Sequence, residues 1–367
     1  MEKKGYLLLA DGQLYEGVLR GAEKASCGEA VFLTSVVGYM DTLTDPAYAG
    51  QIVVQTFPQI GNYGVVPETD LAVKPSLAGY VCRELCDKPS NFRCEGTLED
   101  YLVKHGIPCL TDVDTRAITR HLRDKGVMNA AILTEKPADI AAAAAELAAM
   151  AVEAENTAGV EDIVPADKPG KFNVVLWDLG AKADTVQQLE KRGCAVTLVP
   201  EAVTAEAIAA LEPDGVVITN GAGDPADFED VTAEIASLLT NKHLPVMGIG
   251  LGHQLIAESQ GAKTRKLPYG HRGGNQPIED IKTGVCGITS QNHGYEVDKD
   301  SLPENASLRY INRNDGSCEG VDYLDMPVFS VQFQPALTGG IAGGAKIGTH
   351  TLFDRFIALM GGNKECR

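Results

Sequence analysis

From Asn173 to Ile249 the chain alternates short unbroken apolar runs with segments of helical period, and this rhythm constrains the fold more than any other feature. The runs Asn173 to Trp177, Ala195 to Val199, Gly215 to Ile218 and Val246 to Ile249 read as strands. Between them Ala183 to Arg192, Thr204 to Leu211 and Val231 to Asn241 read as amphipathic helices. Strands without a polar face must be covered on both sides, and strand-helix-strand succession supplies the cover. The pattern therefore predicts a doubly wound, mostly parallel sheet. In such a sheet ligands bind beyond the carboxyl ends of the strands, where this chain places its glycine-rich turns.

Two of those turns carry the chemistry. Asn220-Gly221-Ala222-Gly223-Asp224-Pro225 follows one strand, and Gly248-Ile249-Gly250-Leu251-Gly252-His253-Gln254 joins another to a helix. The second has the layout of a nucleophile elbow, which aims one side chain at a substrate beside the free N–H groups of a helix start. Its apex is Gly250, which offers only hydrogen. A dinucleotide-binding reading fails: the third glycine of the G-x-G-x-x-G pattern falls on His253, and Pro268-Tyr269-Gly270 stands where a ribose-binding acid belongs. His253 is expected to be a packing or hydrogen-bonding residue on the first helical turn, and His293 to shape a loop.

The first half is expected to be mixed α and β. Tyr6 to Val18 reads as a hairpin turning at Asp11-Gly12, with further strands at Ala30 to Phe32, Gln51 to Phe57 and Leu77 to Val81. Helices are expected at Leu98 to His105, Thr115 to Arg123 and the alanine-rich Ala138 to Ala154. Polar residues with Pro165, Pro169 and Gly170 then mark a boundary, giving domains at 1–150 and 172–367 with a linker at 151–171. A formal charge of −18 argues against a nucleic-acid partner. The first apolar run, Tyr6 to Ala10, is too short for a signal core or a membrane span, so a cytoplasmic protein is expected. Nine cysteines without a C-x-x-C pair indicate neither a disulfide framework nor a zinc knuckle.

Taken with Gly270-His271-Arg272-Gly273-Gly274-Asn275 and Ser290-Gln291-Asn292-His293-Gly294, the two turns resemble the class I glutamine amidotransferases, which hydrolyse glutamine through a Cys-His-Glu triad. In the first half, Val36 to Tyr48, Pro58 to Gly64 and Asp112 to Arg116 are similar to the carbamoyl-phosphate synthase small-subunit family. That resemblance, from about Tyr6 to Met360, implies an N-terminal small-subunit domain followed by an amidotransferase-like domain. It also implies a large ATP-grasp partner subunit, which makes carbamoyl phosphate from bicarbonate, ATP and ammonia for arginine and pyrimidine synthesis. ATP and Mg would bind that partner, and no cofactor or metal is expected in this chain.

By the same resemblance the triad cysteine falls on Gly250, and the triad histidine and glutamate fall on Gln334 and Ala336. All three triad members are missing. Ala47 stands for a glutamine-contacting serine, and Ala222 for a proline. Gly221, Gly223, Leu251, Gln254, Asn292, Gly294 and Tyr295 keep the glutamine-pocket pattern. The expectation is a small subunit without glutaminase activity, a pseudoenzyme whose complex uses free ammonia. The alternative is a non-catalytic module that binds glutamine or another small amino acid and reports on it.

Overall fold

The computed structural model describes residues 3–66, 75–151, 159–336 and 350–364. Two compact units, Met1–Thr157 and Ala158–Arg367, divide the chain.

In the first unit the expected hairpin is formed by β1 (Lys4–Leu9) and β2 (Leu14–Gly21). They continue into a closed seven-stranded barrel with β3 (Ser26–Leu33), β4 (Gln51–Gln55), β6 (Gly79–Val81), β8 (Pro108–Thr111) and β9 (Met128–Leu133). A separate short ladder pairs β5 (Gln59–Ile60) with β7 (Glu84–Leu85). Closure comes from β1 pairing β9, strands more than a hundred residues apart, and removes every exposed edge. Among the described residues, α1 (Tyr39–Leu43), α2 (Leu98–Lys104) and α3 (Thr115–Lys125) lie between barrel strands, and α4 (Ile140–Ala149) follows the last of them. Each of the last three starts at a side-chain cap, Thr97, Asp114 and Asp139 respectively. The alanine-rich helix is thus shorter than expected at both ends, and residues 152–154 lie outside the described segments.

In the second unit the expected alternation is present as β10 (Phe172–Trp177), α5 (Ala183–Glu190), β11 (Cys194–Val199), α6 (Ala205–Ala210), β12 (Gly215–Ile218), α7 (Glu229–Leu238), β13 (Val246–Ile249) and α8 (Leu251–Ser259). Beyond it lie β14 (Thr264–Asp280), β15 (Val285–Val297), β16 (Ala306–Asn312), β17 (Cys318–Tyr323), β18 (Val328–Val331) and α9 (His350–Lys364). The nine strands among the described residues of this unit form one sheet in the order β11-β10-β12-β13-β18-β17-β16-β14-β15. The ladders from β11 to β18 are parallel and those from β18 to β15 antiparallel.

Alternation along β10 shows why the parallel part must be covered twice. Val175 and Trp177 join a core with residues of α6, α7 and α8, while Val174 and Leu176 join one with Leu189 of α5 and Phe353 and Phe356 of α9. The segment read as a linker is partly docked: Val164 and Leu198 exchange two backbone hydrogen bonds of 2.9 Å, because the edge strand β11 has free backbone groups to pair. Among the described residues no helix is long and apolar enough to cross a membrane.

Candidate active site

The elbow begins where β13 runs out of sheet. At Gly250 the backbone turns through φ 57° and ψ −113°, a combination that side chains resist, before α8 starts at Leu251. Neighbouring strands clamp the turn: Gly250 N–H donates to Val331 O at 2.9 Å and Gly252 N–H to Thr219 O at 3.0 Å. A Cβ on Gly252 would lie 2.3 Å from Ile218 O, so only glycine lets α8 descend this far onto β12. Leu251, as the first helical residue, has one of the N–H groups that a helix leaves without an internal acceptor.

Amides surround the apex. A Cβ placed on Gly250 would stand 2.9 Å from Asn220 Cβ and 3.9 Å from Gln334 Nε2, so the residue at the histidine position does face the apex. Ala336, by contrast, is buried in the apolar cluster with Phe333, Leu352 and Phe353. Gln254 is committed within the protein, donating to Tyr295 O at 2.8 Å and Gln332 Oε1 at 2.9 Å. Gly221 packs against Leu179 and Leu251, and Gly223 holds a positive φ of 109° in the same turn, with Ala222 buried between them. Asn292 and Gly294 lie along β15. Ala47 belongs to the other unit, in the turn Pro46–Tyr48, where its N–H donates to Asp45 Oδ1 at 3.0 Å. Asn220 Oδ1, Asn292 Nδ2, Gln332 Nε2 and Gln334 Oε1 are buried without a hydrogen-bond partner.

Sequence reasoning passed over Gln332 and Ser330. Their signal was the alternation Ser330, Gln332, Gln334 on β18 and its continuation, which puts three polar side chains on one face. Ser330 and His253 make a nucleophile-base pair by distance, with Oγ 2.7 Å from Nδ1. Both side chains are sealed from solvent, and His253 Nε2 has no partner to orient the ring. Burial lowers the His253 pKa to about 3, so the imidazole is a poor base. His293, expected in a loop, is instead a residue of β15, because the surrounding motif is the paired strand of a long ribbon.

The neutral, buried His253 has a measurable consequence. Its pKa is about 3 when folded against 6.5 in a model peptide, so its contribution to stability is intact above pH 6.5 and is lost progressively as pH falls toward 3. At pH 5 the loss is about 2 kcal/mol. His253→Asn is expected to flatten the stability profile between pH 7 and pH 5 relative to the parent, followed by fluorescence of the single tryptophan, Trp177, buried in the same unit. Parallel profiles would disprove the assignment.

Comparison with known proteins finds a family match in each unit. The model for the carbamoyl-phosphate synthase small chain, CPSase domain, matches residues 7–132, and that for class-I glutamine amidotransferase matches residues 175–358. Proteins named carbamoyl phosphate synthase small chain are similar over nearly the whole length. That of Symbiobacterium thermophilum is 42% identical over 96% of this chain and 97% of its own. That of Fusobacterium nucleatum is 44% identical over 98% and 99%, and that of Staphylococcus epidermidis 41% identical over 100% and 98%.

Proposed function

The chain belongs to the carbamoyl-phosphate synthase small-chain family, and from that premise we propose that it serves as the small-subunit component of such a synthase while lacking glutaminase chemistry of its own. One observation carries the reading: the elbow is built, and its apex is Gly250. Amide hydrolysis by this route needs a lone pair on an apex side chain, a base that removes its proton, and a third group that orients the base. Glycine supplies no nucleophile, Gln334 supplies an amide with no useful basicity, and Ala336 supplies a methyl group. Oxyanion donors and binding alone sustain about 10³ to 10⁴ over water. Enzymes commonly reach about 10⁶ or more.

The proposed partner is the large subunit, with this chain as a clamp or cover and free ammonia as the nitrogen source. The test is carbamoyl-phosphate formation by the reconstituted pair. Synthesis should proceed with ammonium and bicarbonate and stay at the background rate with glutamine. Glutamine-dependent synthesis at ordinary enzyme rates would refute the reading.

The unpartnered amide atoms favour a second reading, in which the pocket holds an amino acid without cleaving it. Calorimetry with glutamine separates the two: saturable binding without turnover supports a sensing role, and no heat supports the scaffold.

A further inference from the structure

On the face of β15 opposite Asn292, three side chains from three strands converge. His271 of β14 and His293 of β15 are direct cross-strand partners with ring centroids 4.9 Å apart, and Glu319 comes from β17. One ligand atom from each lies within 4.8 Å of those of the others, and all three residues are buried. Strand alternation sends Thr289, Gln291 and His293 to this face and Ser290, Asn292 and Gly294 to the other. The burial of the first three and the hydrogen bonds of Gln291 to Thr289 and His293 agree with that.

Each imidazole is already oriented by an acceptor on its outer side. His271 Nε2 lies 2.9 Å from Asp315 Oδ2, and His293 Nδ1 donates to Tyr295 O at 2.8 Å. This is the arrangement that fixes histidines as metal ligands, leaving the other ring nitrogen to point inward. The inward atoms are His271 Nδ1, 3.3 Å from Glu319 Oε1, and His293 Nε2, 3.1 Å from Gln291 Oε1. Gln291 cannot turn its amide nitrogen toward the ring without cost, since that nitrogen donates to Glu319 Oε2 at 2.8 Å and Thr289 Oγ1 at 3.1 Å. With the outer nitrogen turned to Tyr295 O, the inward Nε2 of His293 therefore faces a carbonyl oxygen. Two acceptors held this close need a positive centre between them, either a proton on the ring or a metal ion.

We propose that His271 Nδ1, His293 Nε2 and Glu319, with Gln291 Oε1 as a fourth donor, bind one divalent transition-metal ion of the zinc type, tying β14, β15 and β17 together. Two imidazoles, a carboxylate and an amide oxygen suit a borderline cation. Bonds of about 2.0 to 2.2 Å place the donors roughly 3.4 Å apart, so the cluster tightens by about 1 Å on loading. Glu319 and Asp315 bring two carboxylates to the cluster. His271 lies between them, with Nε2 2.9 Å from Asp315 Oδ2 and Nδ1 3.3 Å from Glu319 Oε1. A divalent ion takes the place of the inward proton and balances both charges. Arg272 extends from the other face of the ribbon, alongside its partner Asn292. No local motif announces this site, because its ligands are spread from residue 271 to residue 319 without the spacing of any metal-binding pattern.

The test uses the full chain stripped with a chelator and titrated with Co²⁺ as a spectroscopic probe, then with Zn²⁺ in competition. One equivalent should bind with the visible absorption of a four- or five-coordinate ion, Zn²⁺ should displace it, and the melting temperature should rise with Zn²⁺ concentration. Asp315→Asn, which meets the cluster only at the outer side of His271 and otherwise accepts from Ser317, should weaken binding about 10- to 100-fold. His271→Asn/His293→Asn should abolish it. Absence of stoichiometric uptake by the parent chain overturns the proposal whether or not the variants fold. So does uptake that survives unchanged in Asp315→Asn or in the double variant, which would point to surface histidines.

Discussion

Restoring the triad by Gly250→Cys, Gln334→His and Ala336→Glu, with Ala47→Ser to restore the serine of the family pattern, is expected to raise glutamine hydrolysis by about 10²-fold or more over the parent chain. A complete triad accounts for about 10⁶ in a related acyl-transfer chemistry, and its members act as a unit, so single replacements should return almost nothing. The geometry explains why recovery stays partial. A cysteine Cβ at residue 250 meets Asn220 Cβ at 2.9 Å, and the backbone there has φ 57°, so Asn220 must yield before the thiol can seat. Strain of this kind costs about 1 to 3 kcal/mol. The carboxylate introduced by Ala336→Glu would enter an apolar cluster and needs the new histidine beside it to be tolerated. Ammonia release from glutamine is the measurement. A folded quadruple variant with no hydrolysis above the parent would show that the cleft no longer admits the substrate.

The second large effect is on stability. Gly252→Ala should lower the stability of the second unit by about 3 kcal/mol, because its Cβ would overlap backbone atoms of Ile218 that no rotamer change can move. For a unit of this size that is roughly 6 to 12 °C in melting temperature. Gly361→Ala is the control: it lies within α9, nothing stands within 4 Å of its added methyl, and the same substitution should stabilise by about 0.5 to 1 kcal/mol. Opposite signs for one chemical change, read by thermal unfolding, isolate the close approach of helix to strand as the cause. Equal shifts would remove it.

The parallel half of the sheet was legible because its signal is local. Each strand from β10 to β13 is a mainly apolar run bounded by turn residues, and each helix carries its own period. The long ribbon of β14 and β15 was not. Its sequence includes charged residues, Pro268 and Pro277, and glycines at Gly270, Gly273, Gly274 and Gly294 that read as turns. It also slips register between Lys266 and His271 and between Gly273 and Gln276. Irregular pairing spoils the alternation that would have announced a strand. Barrel closure was equally hidden, since β1 with β9 and β3 with β4 are pairings that no window of the sequence contains. At the site, the apex and its amide neighbour Gln334 were readable from motif position. The withdrawal of Ala336 into the apolar cluster was not, because nothing in Phe333-Gln334-Pro335-Ala336 says which side chain faces inward.

Asn292 and His293 are successive residues of one strand, so they face opposite sides of the ribbon, His293 toward the imidazole cluster and Asn292 away from it. Their separation therefore depends on arithmetic parity. Inserting a single residue into β15 upstream of Asn292 would exchange the two sides wholesale, while inserting two would bring each back to its own. The irregular step between Gly273 and Gln276, three residues along β14 against two along β15, shows how one odd residue is taken up here, in a bulge on the facing strand.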